Sequence, residues 1–207
     1  MRYMVDAANF KDLAEQNPED VCKRALCRYD EIKKCYILSV WNDDYAIYPQ
    51  DLKIDRIDAR EDAPPLHDYF YVFIINYLLQ TKERKICQEW ISEKDIPGGS
   101  TFFRGPHEIP TYLISKRYSG NIEQFKRVCG QLKGTPINNM ADAAYSFTIT
   151  PRIPVAVLFW DGDDDFPPES KILYDKSIAD HLALDVIFAL AVGICSRIGR
   201  DEIYTFQ

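Results

Sequence analysis

The chain has 207 residues, of which 46% are hydrophobic and 28% are charged, as in an ordinary globular protein that folds around its own core. Its formal net charge of -7 argues against binding to nucleic acid or to an anionic membrane surface, because both need an excess of Lys and Arg facing phosphate. The length predicts a single domain, 1–207, and the alternative is that residues 1–62 form an N-terminal lobe of a helix and a meander.

The N-terminal residues carry no sign of export. They lack the basic start, apolar core and small-residue cleavage site of a secretion signal, so we expect a cytoplasmic protein. Two apolar runs, 66–79 and 182–198, are shorter than the ~20 residues that span a membrane, and each contains an Asp. We therefore expect buried helices and no membrane partner.

The six cysteines stand at positions 22, 27, 35, 87, 129 and 195, and none of them forms a C-x-x-C pair. In a chain without an export signal, we expect reduced thiols that pack as small apolar groups. If Cys22 and Cys27 lay on one helix, five steps of ~100° would place them about 140° apart. A shared zinc or iron–sulfur site is therefore not expected at this pair.

A first helix is predicted to start at Asn17 and Pro18, because Asn caps helix N-termini and Pro fits the first helical position. Apolar residues then repeat at helical spacing, which predicts a stripe that packs on a sheet. The stripe consists of Val21, Cys22, Ala25, Leu26 and Tyr29.

Residues 35–41 are rich in β-forming side chains, and the Asn-Asp-Asp sequence at 42–44 is a turn signal before a second such run at 45–48. This pattern predicts a β-hairpin. Residues 52–57 alternate apolar and polar side chains, so a third strand would complete a meander. The charged and proline-rich residues 60–65 indicate a connection.

A central helix is predicted from about residue 65 to residue 80, since its apolar side chains lie on one side and continue elsewhere. Further on, Gly98 and Gly99 follow a proline, and such a pair permits backbone angles that other residues avoid. The pair indicates a tight turn. The alternative is a close approach of the backbone to a ligand.

Residues 110–118 and 121–132 predict two short helices, in an arrangement that is similar to a helix-turn-helix. Five basic residues in this part would fit DNA binding: Lys116, Arg117, Lys126, Arg127 and Lys133. The acidic chain as a whole favours the other interpretation, an αα-hairpin with a solvated face. Nucleic acid is therefore not the expected partner.

Residues 144–149 alternate, 150–154 form a turn, and 155–160 make the return strand of a second hairpin. A short strand at 171–174 and a last helix at 182–198 follow, the helix being apolar on nearly all sides. These elements predict an α+β fold, with a mainly antiparallel sheet that is built from two hairpins and packed against two apolar core helices, 66–79 and 182–198.

The strand at 155–160 runs directly into an acidic loop, which is the main candidate for a functional site. Loops at strand ends are where a rigid scaffold tends to hold functional residues. An aromatic side chain, several carboxylates and a guanidinium could meet a polar ligand or a protein partner there. The candidate ligand-binding residues are Arg152, Trp160, Asp161, Asp163, Asp164, Asp165 and Glu169.

Clustered carboxylates also recruit cations, so a Mg²⁺ or Ca²⁺ ion held by Asp163 and Asp165 is a second hypothesis. The order D-G-D-D-D does not match a calcium loop of the EF-hand type, which needs D-x-D-x-D-G and a later Glu. A third hypothesis is an exposed turn in which Asp side chains cap backbone N–H groups.

The sequence lacks the G-x-S-x-G signature of nucleophilic catalysis and the glycine spacing of a phosphate-binding or dinucleotide-binding loop. We therefore expect neither a nucleotide cofactor nor an iron–sulfur cluster of the chain's own. The chain has three histidines, His67, His107 and His181, of which His107 and His181 are each expected to be a surface or capping residue and not a catalyst.

Segments around the acidic loop resemble the domain-of-unknown-function 3786 family of bacteria and archaea, found largely in anaerobes. They are P-R-I-P at 151–154, V-L-F-W-D-G-D-D-D-F-P-P at 157–168 and I-L-Y-D at 172–175, with weaker similarity at 75–78 and 96–99. The resemblance implies no established activity and assigns no catalytic residues. Members joined to iron–sulfur modules would imply a role beside redox or corrinoid chemistry, for which this chain would need a separate partner, because it has no four-cysteine run.

The leading hypothesis is a cytoplasmic accessory protein that binds a ligand or partner near residues 160–169. The alternative is a metal-dependent hydrolytic enzyme in which the same carboxylates hold Mg²⁺ or Ca²⁺. Double replacement of Asp163 and Asp165 by Asn should abolish turnover in the second case and only weaken binding in the first.

Overall fold

The computed structural model describes residues 5–57 and 66–199, and within them two antiparallel sheets pack with helices, which confirms the α+β prediction. The helices are α1 Ala7–Ala14, α2 Pro18–Ala25, α3 Asp68–Gln80, α4 Gly99–Phe102, α5 Tyr112–Tyr118, α6 Ile122–Gln131, α7 Ile178–His181 and α8 Leu184–Gly199, with a 3-10 turn at Gly105–His107. The strands are β1 Arg28–Asp30, β2 Cys35–Val40, β3 Asp43–Tyr48, β4 Lys53–Arg56, β5 Trp90–Ile91, β6 Thr135–Pro136, β7 Ala143–Thr150, β8 Ile153–Trp160 and β9 Glu169–Asp175. The predicted connection at 60–65 lies outside the described residues.

Strands β1 to β4 form an antiparallel meander in sequence order, and the predicted hairpin is confirmed between β2 and β3. Its turn is shorter and earlier than the 42–44 signal suggests. Trp41 and Asn42 form it, with φ angles of 50° and 67°, while Asp43 already pairs with Val40. Two-residue turns with positive φ at both positions match the twist of the flanking strands.

Helix α2 starts at its predicted cap but ends earlier than the apolar stripe suggests. Leu26 adopts a left-handed φ of 54° and is 52% exposed, and Tyr29 belongs to β1. The N–H groups of Leu26 and Cys27 both donate to the carbonyl of Cys22, as in a helix that ends on a left-handed residue. This turn folds Cys27 back onto the helix. The condition of one shared helix, on which the predicted separation of the two thiols depended, is therefore not met, and their sulfur atoms lie 3.9 Å apart.

The larger sheet has the order β5-β9-β8-β7-β6, so the strand before the acidic loop is its central strand. The second predicted hairpin is confirmed as β7 and β8. Successive side chains of a strand point to opposite faces. Val155, Val157 and Phe159 accordingly join the main core, whereas Ala156 and Leu158 face the other side of the sheet, which we call the outer face.

Helices α3 and α8 lie against each other in the main core, which confirms both predicted core helices. Gly193 of α8 sits directly over the ring of Phe70 of α3, and a Cβ there would lie 2.4 Å from the ring. A larger residue would therefore force the two helices apart. None of the helices in the described residues is long and apolar enough to cross a membrane.

Helices α5 and α6 confirm the predicted pair of short helices, and both bury their apolar sides in the main core. Two of their basic side chains are engaged within the chain. Arg117 donates to the carbonyl of Ile198 at 2.8 Å, and the Lys126 ammonium lies 2.8 Å from the Glu123 carboxylate. These contacts fit the αα-hairpin interpretation.

Trp41 joins the two sheets. Its N–H donates to the carbonyl of Ile149 in β7 at 2.7 Å, and its indole N–H donates to the carbonyl of Leu132 at 3.3 Å. The buried ring packs against Phe70 and Phe147, with centroids 5.8 and 5.1 Å away. Residues of both sheets and of the helices consequently belong to one continuous hydrophobic core.

Candidate functional site

The acidic loop leaves β8 after Trp160 and closes tightly before β9. Gly162 has a φ of +77°, and a Cβ at this position would lie 2.6 Å from the nitrogen of Pro168 and 2.7 Å from the carbonyl oxygen of Phe166. Only glycine fits such a position without displacing backbone. The loop is thus a closed turn whose form depends on Gly162 and the double proline.

Two of the loop's aspartates hold backbone N–H groups. Asp161 accepts a hydrogen bond from the N–H of Gly120 at 2.7 Å, and its own N–H donates to the Asp142 carboxylate at 3.0 Å. Asp163 accepts from the N–H groups of Asp165 and Phe166 at 2.9 and 2.8 Å. This is the capping chemistry that Asp supplies in turns.

The remaining carboxylates of the loop face solvent. Asp164 and Asp165 are exposed, and Glu169 forms an exposed ion pair of 3.1 Å with Lys171, two residues further along β9. Among residues 5–57 and 66–199, no three His, Cys, Asp or Glu side chains converge as a group that could hold a metal ion. The observed contacts of Asp163 are those of a turn residue.

Arg152 lies at the other end of β8, roughly 25 Å from the acidic loop at the usual rise of a strand. The structure therefore does not bring it together with the carboxylates. Its guanidinium donates to the carbonyls of Arg24 at 2.5 Å, Arg84 at 2.7 Å and Lys23 at 3.4 Å. A cation at the C-terminus of α2 is also favoured by the helix dipole, so Arg152 fastens this helix end to the β7–β8 turn.

Trp160 lies on the outer face of the larger sheet, where it is partly buried. The Lys171 ammonium lies 5.6 Å from the centre of its ring, at a distance typical of a cation–π contact. Trp160 belongs to a small apolar cluster that no residue of a described helix joins. The cluster has Ala144, Ala156 and Leu158 at its buried centre and Trp90, Ile137, Met140, Ala141, Trp160 and Leu173 around them.

A groove of about 430 Å³ opens at the opposite end of this outer face. Small side chains, Ser146, Thr148 and Pro154, are among those that line it, with Trp90 and Lys133 beside them. Because Trp90 belongs to both the groove and the apolar cluster, the two form one surface along the sheet, with Trp160 and the acidic loop at its far end.

Asp175 anchors one wall of the groove. The residue is 2% exposed, and its carboxylate accepts hydrogen bonds from the N–H groups of Cys87 and Gln88 at 2.9 and 2.6 Å, and from the N–H and hydroxyl of Ser177 at 3.0 and 2.5 Å. Burial alone would raise the pKa of Asp175, but the hydrogen bonds from Ser177, Cys87 and Gln88 outweigh it and hold the pKa below its usual value. The ionised carboxylate thus fixes the exposed segment before β5.

The three histidines lie in different surroundings. His67 caps α3, because its Nδ1 accepts from the N–H of Tyr69 at 3.2 Å, and His107 is exposed against the ring of Phe102. His181 is 1% exposed, so the prediction of a surface position is wrong for this residue. Its Nδ1 lies 2.9 Å from the hydroxyl of Thr81 and accepts from the N–H of Lys82 at 3.3 Å. Burial and the nearby charge of Arg152 lower the pKa of His181.

The groove residues were not among the sequence candidates. Ile86 and Trp90 come from the segment that leads into β5, and Lys133 comes from the segment before β6. These two segments are far apart in sequence and line one groove only because β5 and β6 belong to the same sheet. The one local signal is Trp90, an aromatic residue in a short and largely polar stretch. Nothing in the sequence itself pairs that stretch with β9.

Within the described residues, this is an α+β protein whose larger sheet carries helices on its inner face and an apolar, tryptophan-bearing surface on its outer face. A family model described as "Domain of unknown function (DUF3786)" matches residues 17–197, so the chain belongs to this family. The match includes both hairpins, the acidic loop and the whole outer face. No curated protein and no solved structure matches the chain.

Proposed function

We propose that the chain is a binding protein that recognises a polypeptide partner through the outer face of its five-stranded sheet. The observation that carries this proposal is that two of the three tryptophans, Trp90 and Trp160, are partly exposed on the same sheet face, to which no described helix contributes. Tryptophan is enriched in protein interfaces and often dominates their binding energy.

The extent of the surface favours a polypeptide over a small molecule. From Pro154 to Trp160 the central strand alone spans roughly 20 Å. Partly buried apolar side chains on β5, β8 and β9 lie along this length, with the half-open groove at one end. An extended chain could lay its apolar side chains along such a surface, whereas a small ligand would use the groove alone.

Charge supports a complementary partner. Asp164 and Asp165 are exposed at the Trp160 end of the surface, while Lys133 lines the groove at the other end. A partner with basic residues near the acidic loop and an acidic residue near the groove would be oriented by these charges. The acidic loop thus orients the partner, and the tryptophans contribute most of the binding energy.

The proposal keeps the leading hypothesis of an accessory protein and moves its site from the loop to the adjoining sheet face. The further proposal of a cytoplasmic partner from redox or corrinoid metabolism, which would itself carry the metal or cofactor, follows from the family resemblance alone. The hydrolase alternative receives no support from Asp163, since the contacts of its carboxylate are those of a turn cap.

Photo-crosslinking in the native host tests the proposal. A benzophenone side chain is placed at Trp160 or Leu173 on the outer face, and at Ile32, which is 95% exposed in the β1–β2 turn, as the matched control. We expect the two outer-face positions to yield the same discrete adduct and Ile32 to yield none. Equal adducts from all three positions, or none from the outer face, would contradict the proposal, and an adduct of twice the chain's mass would identify a second copy as the partner.

A further inference from the structure

The end of helix α2 brings two cysteine thiols together without any bond between them. Cys22 lies in the last turn of the helix, Cys27 follows the left-handed Leu26, and the two sulfur atoms are 3.9 Å apart. Both residues are partly exposed. The other four cysteines differ, since Cys35, Cys129 and Cys195 are buried and Cys87 is exposed.

The backbone already holds the two cysteines in this arrangement. The N–H of Cys27 donates to the carbonyl of Cys22 at 3.2 Å, which closes a tight turn between them. Neighbouring carbonyls of the same helix end are held by Arg152 and by the hydroxyl of Tyr77, which donates to Ala25 at 2.8 Å. A disulfide bond is about 2.05 Å long, so the sulfur atoms need to approach by roughly 2 Å, a movement of side chains within a fixed turn.

We propose that Cys22 and Cys27 form a redox-active dithiol, which a low-molecular-weight disulfide such as oxidised glutathione converts into an intramolecular disulfide. The alternative is that the two thiols meet only as a packing contact at the helix end, where they act as small apolar groups. The pair differs from such a contact in that both residues are partly exposed and their sulfur atoms face each other across a closed turn.

The reaction consists of two exchange steps. The Cys22 thiolate attacks one sulfur of the small disulfide, which forms a mixed disulfide and releases one small thiolate. The Cys27 sulfur, losing its proton, then attacks Sγ of Cys22 and releases the second small thiolate. The protein dithiol loses two electrons, the small disulfide gains them, and the two protons end on the two small thiols.

The order of attack follows from the surroundings. Burial raises the pKa of both thiols, and it acts more strongly on Cys27, which is the more deeply buried, although the charge of Arg24 partly opposes it there. Cys22 is therefore the first nucleophile and Cys27 the resolving thiol. Because the thiolate is the reactive form, the rate should rise with pH across the neutral and mildly alkaline range.

The test equilibrates the folded full-length chain with mixtures of reduced and oxidised glutathione, alkylates the remaining thiols and locates all bonds by mass spectrometry. We expect a Cys22–Cys27 disulfide, seen as a loss of two hydrogen atoms, that a reducing mixture reverses. The Cys27→Ser variant should instead accumulate a mixed disulfide at Cys22, and the Cys87→Ser control should form the internal bond as the natural chain does.

Two results would overturn the proposal. One is the natural chain with both thiols alkylated after equilibration with excess oxidised glutathione. The other is a stable mixed disulfide at Cys22, or a bond between Cys22 and Cys87, in place of the internal bond. Circular dichroism of each sample before alkylation ensures that the folded chain is compared throughout.

Discussion

Arg152 serves the fold by joining three chain segments through one guanidinium. It donates to carbonyls of α2 and of the exposed segment at Arg84, and it is itself placed by the β7–β8 turn. Hydrogen bonds from a charged group contribute roughly 1.5–3 kcal/mol each, and orphaned carbonyls are costly.

We therefore expect Arg152→Ala to lower the free energy of unfolding by about 2–4 kcal/mol in urea titrations. Arg152→Lys should recover less than half of the lost free energy of unfolding. The compact ammonium of Lys lacks the spread N–H donors with which the planar guanidinium reaches three separate carbonyls. Arg127→Ala, at an exposed arginine of α6, is the control and should change stability by less than about 0.5 kcal/mol. Equal stability of the Arg152→Ala variant and the natural chain would contradict this role.

Asp175 makes stability depend on pH. Its pKa in the folded chain lies below the unfolded value of about 3.9, so its contribution is present above about pH 4 and is lost as the pH falls through the folded pKa. Asp175→Asn should therefore be less stable than the natural chain by about 1–3 kcal/mol at neutral pH. The difference should shrink in acid, which urea titrations across this pH range measure, and a difference that does not change with pH would rule out the ionised carboxylate as its source.

At the scale of elements, the acidic loop is a closed turn between two central strands. Gly162 and Gly105 both have positive φ, but only at Gly162 would a Cβ meet backbone within 3 Å. Gly105→Ala should cost roughly 1 kcal/mol for the backbone angle alone, and Gly162→Ala at least twice as much, because the loop must also open. Thermal unfolding of the two variants measures the difference, and equal losses would mean that the loop tolerates a side chain.

Periodicity predicted the long elements of this fold and missed the short ones. The two hairpins and the helices α3 and α8 have runs of apolar side chains whose spacing reveals their structure. Strands β1, β5 and β6 have only two or three residues each, and they exist because a longer neighbour offers an edge to pair with. No local pattern encodes such a partner.

Only the part of the candidate site that is continuous in sequence could be recognised before the structure. Trp160 and the acidic loop stand out in the sequence, because a buried strand changes abruptly into charge. Arg152 was grouped with them because the residues are close in sequence. Arg152 and the acidic loop nevertheless lie at opposite ends of β8, a strand of eight residues. The groove lies at the end of the outer face opposite Trp160. It depends on residues from five strands and their connections, so it became visible only in the folded chain.

At the scale of the whole molecule, we propose that the chain unfolds as one cooperative domain, without a separate lobe at residues 1–62. Trp41 supports this proposal, because it hydrogen-bonds to β7 and packs against α3. The guanidinium carbon of Arg197, from α8, also lies 5.1 Å from the centre of the Trp41 ring. Arg197 and Arg56 also share the carboxylate of Asp43, at 3.3 and 2.9 Å.

Hydrogen exchange of the folded chain in low denaturant distinguishes the two arrangements. We expect the slowest amides of β2 and β8 to exchange with the same free energy, because both open only when the shared core opens. Trp41→Ala should lower both values together. A clearly lower value for β2 in the natural chain would indicate that the N-terminal sheet unfolds by itself.

The affinity of the crosslinked partner for outer-face variants tests the central claim most directly. By calorimetry, Trp160→Ala and Trp90→Ala should each raise Kd by at least about tenfold, or ~1.4 kcal/mol, while Ile32→Ala leaves it unchanged and circular dichroism shows all three variants folded. If both tryptophan variants bind the partner as tightly as the natural chain does, the outer face of the sheet is not the binding surface.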